Sequence, residues 1–377
     1  MSIKNSFLYL SLFLFAFASC LEQNKKQSPE IDEGIPFASM ADVSIDSDVI
    51  NKIDTAIRNG TYPNVHSLLI ARNGKLVYER YWPGKDESWG QGLGIIIHGK
   101  DSLHDIRSIS KSIVSACIGI AVQQGKIKNV DQKVFDFFPE YAKLDTGLKS
   151  LLTIKHLLTM SSGLVWNEEV PYDNPDNSEI RMIKSPNPVE YVLSQPMSAA
   201  PGKVWKYNGG TTQLLAAIIE KTTGSKVDQF AKEYLFMPLG ITRFAWAKYP
   251  GTDMPAAASG LRLRSRDLLK FGLVYYNDGK WKDKQVVPEK WIEESFQPHV
   301  QRPGGGSYGY QFWLWHEMIN NNPIPVVACV GNGDQRIFFD AARDFVVVIT
   351  AGNYNKWDIE KNASALLRDY IYPAVNP

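Results

Sequence analysis

Residues 105–124 read DIRSISKSIVSACIGIAVQQ, and Gly125-Lys126 follow. From Lys111 onward the stretch is apolar and small, longer than an ordinary strand and stopped by Gly125, so a buried helix is expected over Ser108–Gln124. At its start stands Ser108-Ile109-Ser110-Lys111, an S-x-x-K pattern. Residues three apart on a helix share a face, so the Lys111 side chain can approach the Ser108 hydroxyl and take its proton. The helix N-terminus favours the negative charge that develops there. Taken alone, the four residues fit equally well a helix cap followed by an exposed lysine. About one chance S-x-x-K match is expected in a chain of this length.

Working outward, Ser67–Trp82 reads SLLIARNGKLVYERYW, two β-rich runs joined by Arg72-Asn73-Gly74-Lys75, the strongest short hairpin signal. Near the other end, Pro325–Gly331 and Arg336–Ala351 read as strands, the second turning at Ala341–Asp344, and Lys356–Tyr370 reads as a helix. Helical patterns lie between, at Ile154–Met160, Pro188–Ser194, Thr211–Thr223 and Val227–Leu235. The expected fold is α+β: one antiparallel sheet made from both ends of the chain, flanked by helices and holding a mostly helical insertion. The stretch Trp166–Asn187 has no pattern of its own, and long loops of that kind are commonly functional.

Composition narrows the partners. Forty-one Lys and Arg against forty Asp and Glu leave a formal charge of +1 over 377 residues, so no broad field favours nucleic acid, and a small-molecule substrate is expected. At the N-terminus, Lys4, an apolar run over Phe7–Phe17, and Ala18-Ser19 precede Cys20. That order reads as an export signal ending in a lipobox-like cysteine, with Phe17 where leucine is usual. The expectation is an exported lipoprotein anchored to the membrane through acylated Cys20, with a polar tether over residues 21–45. Of the three cysteines, Cys117 and Cys329 lie in apolar runs and are expected as buried free thiols. The six histidines show no metal-ligand spacing, so neither metal nor cofactor is expected.

Several segments together resemble the serine hydrolases of the penicillin-binding-protein and β-lactamase superfamily. They are the helix stretch 105–124, TIKHLLTMSSGL at Thr153–Leu164, Pro201-Gly202 with Trp205, Tyr207 and Gly210, SGLRLRSRD at Ser259–Asp267, Trp281–Trp291, and Tyr308–Trp315. The resemblance covers roughly residues 60–372. It implies a β-lactamase/transpeptidase-like fold over residues 46–372, with the sheet from about 46–107 and 260–372 and the helical part from about 108–259. It also implies that Ser108 is the nucleophile, Lys111 its base and Tyr207 a proton shuttle. The third motif falls on Gly331-Asn332-Gly333, and the oxyanion hole on the Ser108 N–H with that of Asp334 or Gln335.

The departures bear on substrate. Gly209 stands two positions after Tyr207 where many relatives have a polar residue, and Gly331 replaces the third-motif Lys or His that holds a substrate carboxylate. The pattern is closer to the esterase-like and nylon-oligomer-hydrolase-like branch, so ester or small-amide hydrolysis is expected, ahead of a DD-peptidase or weak β-lactamase. A lipid-anchored binding protein without turnover is a third reading, disfavoured by the complete Ser108, Lys111 and Tyr207 set. Tyr172, Asn208 and Arg336 are candidate substrate contacts. Gly305–Gly309 also satisfies G-x-S-x-G around Ser307, but no apolar strand precedes it as a nucleophile elbow requires.

Overall fold

Asn73 and Gly74 take φ of 52° and 72°, the positive values that a tight two-residue hairpin turn needs. In the computed structural model, which describes residues 33–375, this turn joins Val65–Arg72 to Lys75–Tyr81. Val65–Arg72 then pairs antiparallel with Phe345–Ala351, so the two ends of the chain build one sheet as expected. Its eight strands run in the order Val300–Gln301, Ser307–Tyr308, Trp313–Ile319, Asn322–Gly331, Gln335–Asp340, Phe345–Ala351, Val65–Arg72 and Lys75–Tyr81, every pair antiparallel.

The central strands are apolar on both faces because both faces are covered. Leu68, Ile70, Val347 and Ile349 pack under the helix Ser47–Arg58 and the C-terminal helical turns from Ala363 onward. Leu69, Ala71, Val346 and Val348 face the opposite way, into the core shared with the helices Ser265–Tyr276 and Ile109–Gln123. The latter shows almost no polar face, with Ile109 through Ala121 all buried. The helical insertion is clasped where it leaves and rejoins the sheet layer: His104–Asp105 pairs with Leu261–Leu263, which pairs in turn with Ala245–Trp246. Cys117 and Cys329 are buried free thiols.

Three expectations are corrected. Trp166–Asn187 contains the helix Ser178–Lys184, started by the Asn177 side chain, which accepts from the N–H groups of Glu179 and Ile180. The C-terminal helix begins at Ala363, because the Asn362 side chain caps it there by accepting from the Ala365 N–H. The folded region also starts before residue 46: Ile35, Val43 and Ile45 are buried, and the Ala38 N–H donates to the Leu76 carbonyl. The export signal, Cys20 and residues 21–32 of the tether lie outside the described residues.

Candidate active site

Ser108 sits at the N-cap of the 15-residue helix Ile109–Gln123, so its side chain meets the positive end of the helix. Lys111 is one turn on and 1% exposed. Its Nζ donates to Ser108 Oγ at 3.0 Å and to the Ala258 carbonyl at 2.8 Å, and lies 4.9 Å from the Tyr207 ring centre. The Tyr207 side chain is within hydrogen-bonding reach of Ser108. Burial, reinforced by the nearby Glu168 carboxylate, drives the Tyr207 phenol well above its ordinary pKa, so it rests as a proton-bearing group. Its ring is held in an aromatic cluster, with Trp313 at 5.5 Å and Trp205 at 6.3 Å between ring centres. The segment carrying it is fixed by Met160, whose carbonyl accepts from the Lys206 N–H and whose sulfur accepts from the Asn208 N–H.

A cavity of about 230 Å³ opens over Ser108, lined by Glu87, Trp89, Arg107, Tyr172, Glu179, Ile180, Ile183, Ser259, Asn332 and Asn355. The structure thus brings Ser108, Lys111, Tyr207, Tyr172 and Asn332 to one place. Gly331 lies just behind. A Cβ there would come within 2.4 Å of the Ile106 carbonyl, so the strand end crosses close over the segment entering Ser108 and admits no side chain. Asn332 lines the pocket and is tied to Asn355 by two hydrogen bonds: Nδ2 donates to Asn355 Oδ1 at 2.8 Å, and Oδ1 accepts from the Asn355 N–H at 2.9 Å.

The other named residues serve elsewhere. The Asn208 side chain caps the helix Gly209–Thr223 through the Thr211 N–H. Arg336 turns to the far side of its strand, donating to the Gly331 and Gln335 carbonyls and pairing with Asp334 at 3.2 Å, so it brings no cation to Ser108. Gln335 is buried, its amide bridging Asn332 and Ala351. Asp334 accepts from the Ala363 N–H, and Gly333 lets the Tyr354 ring pack against it. Ser307 lies in the two-residue strand Ser307–Tyr308 with no helix after it.

Two buried carboxyl groups escaped the sequence reading. Glu168 Oε1 accepts from the Gly209 N–H and the Trp166 indole, both at 2.5 Å, while Oε2 is sealed from solvent without a partner. Burial and the neighbouring Glu179 push the Glu168 carboxyl up to about 7, with Lys111 opposing. A Cβ on residue 209 would lie 2.8 Å from Glu168 Oε1. Gly209 is therefore small because the Glu168 carboxyl, from the long loop, lies against its backbone. Glu179 accepts from the Ser259 hydroxyl at 2.6 Å. Arg107, with φ of 48°, is ion-paired to Glu87 and to Asp105, the latter at 3.4 Å. Nothing in the local pattern of these residues marks them; only the signals on either side of the pocket do.

The family model described as Beta-lactamase matches residues 56–367. The chain belongs to the beta-lactamase family. It is 29% identical over 259 residues to the esterase EstB of Burkholderia gladioli, covering 64% of this chain and 61% of that protein. It is 24% identical over 270 residues to the 6-aminohexanoate-dimer hydrolase of Paenarthrobacter ureafaciens, covering 66% of each. The matched stretch is thus under two thirds of either relative's length. Among solved structures, the octameric penicillin-binding protein homologue of Pyrococcus abyssi superposes with a TM-score of 0.62 at 20% identity, over 86% of this chain and 76% of that one. The expected superfamily and fold hold, and the relatives in this family are named as an esterase, an amide-dimer hydrolase and a putative D-alanyl-D-alanine carboxypeptidase.

Proposed function

We propose that this family member cleaves neutral carboxylic esters and small amides through a Ser108 acyl-enzyme. The observation that carries the proposal is the Lys111–Ser108 contact of 3.0 Å at a helix N-terminus, with the Tyr207 side chain also within hydrogen-bonding reach of Ser108. In this reading Lys111 takes the Ser108 proton as Oγ bonds to the substrate carbonyl carbon. The oxyanion is held by the Ser108 N–H and an N–H of the segment Gly333–Gln335, whose preceding strand end crosses over Ile106. Tyr207 gives its proton to the departing alcohol or amine as the tetrahedral species collapses, and is reprotonated through Lys111. Water then adds to the acyl-enzyme with the proton path reversed, releasing the acid and restoring Ser108.

The preference for neutral substrates rests on charge. Arg107 is the cation among the pocket-lining residues and is already paired with Glu87 and Asp105, while Glu179 adds a second acidic wall. Gly331 stands at the third-motif position that would carry a carboxylate-holding cation, and its pocket-lining neighbour Asn332 is uncharged. Anchoring through acylated Cys20 belongs to the same proposal and is supported by Lys4, the apolar run Phe7–Phe17 and Ala18-Ser19. A fluorophosphonate probe tests the nucleophile: Ser108→Ala abolishes labelling and Ser307→Ala leaves it intact. Labelling that survives loss of Ser108 refutes the assignment.

A further inference from the structure

Three of the six histidines, His66, His98 and His104, converge with an aspartate beside the active site. His66 comes from Val65–Arg72, Asp86 from Gly84–Ser88, His98 from the loop after its partner strand Gln91–Ile96, and His104 from His104–Asp105. All four are buried, and one ligand atom from each lies within 4.8 Å of every other. We propose that His66, Asp86, His98 and His104 form a closed, four-ligand site for a divalent transition-metal ion of the zinc class.

The hydrogen bonds around the cluster decide which nitrogens carry protons. Asn64 is oriented by Lys85: its Nδ2 donates to the Lys85 carbonyl and its Oδ1 accepts from the Lys85 N–H, both at 2.9 Å. Its Oδ1 is therefore an acceptor, and the His66 Nε2 3.2 Å away must be the N–H that donates to it. His104 Nδ1 lies 2.9 Å from the Asp105 carbonyl and must likewise be the donor. In neutral imidazoles that leaves His66 Nδ1 and His104 Nε2 as bare lone pairs, and these face each other at 2.8 Å. Two lone pairs at that distance repel unless a cation or a proton sits with them.

His98 Nε2 is buried without a hydrogen-bond partner on a residue 8% exposed, and Asp86, 5% exposed, sets Oδ1 3.6 Å from His104 Nε2 while its Oδ2, which accepts no hydrogen bond, lies 3.8 Å from the Arg262 guanidinium. Three neutral imidazoles and one carboxylate suit zinc, cobalt, nickel or copper(II) far better than calcium or magnesium. Tetrahedral zinc with bonds of about 2.1 Å sets its ligand atoms about 3.4 Å apart, within reach of small side-chain rotations here. The outer contacts that orient metal ligands are also in place: Asn64 behind His66, the Asp105 carbonyl behind His104, and the Tyr354 hydroxyl donating to Asp86 Oδ1 at 2.8 Å. Gly84 and Gly352 make the cradle, since a Cβ on either would come within 2.6 Å of the His66 ring.

The four ligands leave no open position and none lines the Ser108 cavity, so the ion is structural. It joins the first sheet strand to the segment His104–Arg107 that delivers Ser108. Through Tyr354 it also braces Gly333.

The test is metal analysis of the full chain, purified in detergent through a histidine-free tag. About one equivalent of zinc per chain is expected, retained by Ser108→Ala and by His316→Ala, which changes an exposed histidine, and lost in His98→Ala and Asp86→Asn. Removing the metal with dipicolinate should lower Tm by several degrees, and added ZnCl2 should restore it. Cobalt loading should produce the visible absorption of a tetrahedral ion, lost in His98→Ala. A wild-type chain that holds less than a tenth of an equivalent, and whose Tm responds to neither chelator nor ZnCl2, overturns the proposal. Undiminished zinc and cobalt binding by His98→Ala overturns it equally.

Discussion

Replacing Glu168 by glutamine tests how the buried carboxyl pair behind the nucleophile is charged. The amide keeps an oxygen for the Gly209 N–H and the Trp166 indole but cannot titrate. Because Glu168 in the folded chain holds its proton up to about 7 instead of the ordinary 4.5, the folded state binds more protons than the unfolded one between those values. Stability is therefore full below about pH 4.5 and falls as pH rises through 7. At about 1.4 kcal/mol per tenfold in proton affinity, the loss is at most about 3 kcal/mol. With about 2.1 cal/mol/K of unfolding entropy per residue over the roughly 340 residues described, that corresponds to about 4 °C. Thermal unfolding of both proteins from pH 5 to 8.5 should show the glutamine variant gaining up to about 4 °C over wild type at the alkaline end and little or nothing at pH 5. A difference independent of pH refutes the reasoning. So does a variant less stable than wild type only above pH 7, which would mean that Lys111 stabilises the ionised carboxylate more than burial and Glu179 oppose it.

Other outcomes follow from the same geometry. Tyr207→Phe keeps the ring in its cluster with Trp205 and Trp313 and should lower kcat on p-nitrophenyl butyrate by about 10²–10⁴ with Tm little changed; a variant keeping more than a tenth of wild-type activity removes Tyr207 from the proton path. Asn332→Lys puts a cation into the pocket, and should raise kcat/KM for a carboxylate-bearing ester relative to a neutral one of equal length by roughly ten- to a hundredfold; an unchanged ratio argues that substrate carboxylates never approach this position. The equivalent change at Gly331 tests packing only, because of the Ile106 carbonyl. Cys20→Ala should move the protein from the membrane to the soluble fraction or leave it unprocessed; wild-type protein found wholly soluble defeats the anchor.

Much was legible in the linear order because it depends on local rules. The Asn73-Gly74 turn needs positive φ at two adjacent positions, and its flanking runs are rich in β-forming residues; the helix from Ser108 is apolar on all sides and ends at glycine. Ser108 and Lys111 are three residues apart, so helix geometry alone joins them. The short helix at Ser178 and the late start at Ala363 were hidden because a single asparagine cap, not periodicity, defines each.

What only the tertiary structure decided is everything that depends on backbone crossings between distant segments. Gly331 is small because the Ile106 carbonyl passes beneath it, and Gly209 because Glu168 folds over it; each looked like a missing functional group until its neighbour was in view. Arg336 is close to the third motif in sequence, yet strand alternation points it away from Ser108. His66, Asp86, His98 and His104 show no ligand spacing, and they meet because a strand, a hairpin, a loop and the entrance to the nucleophile helix share one corner of the fold. Spacing along a chain reports contacts within one helix or hairpin; contacts between elements are set by packing, which a single sequence does not display.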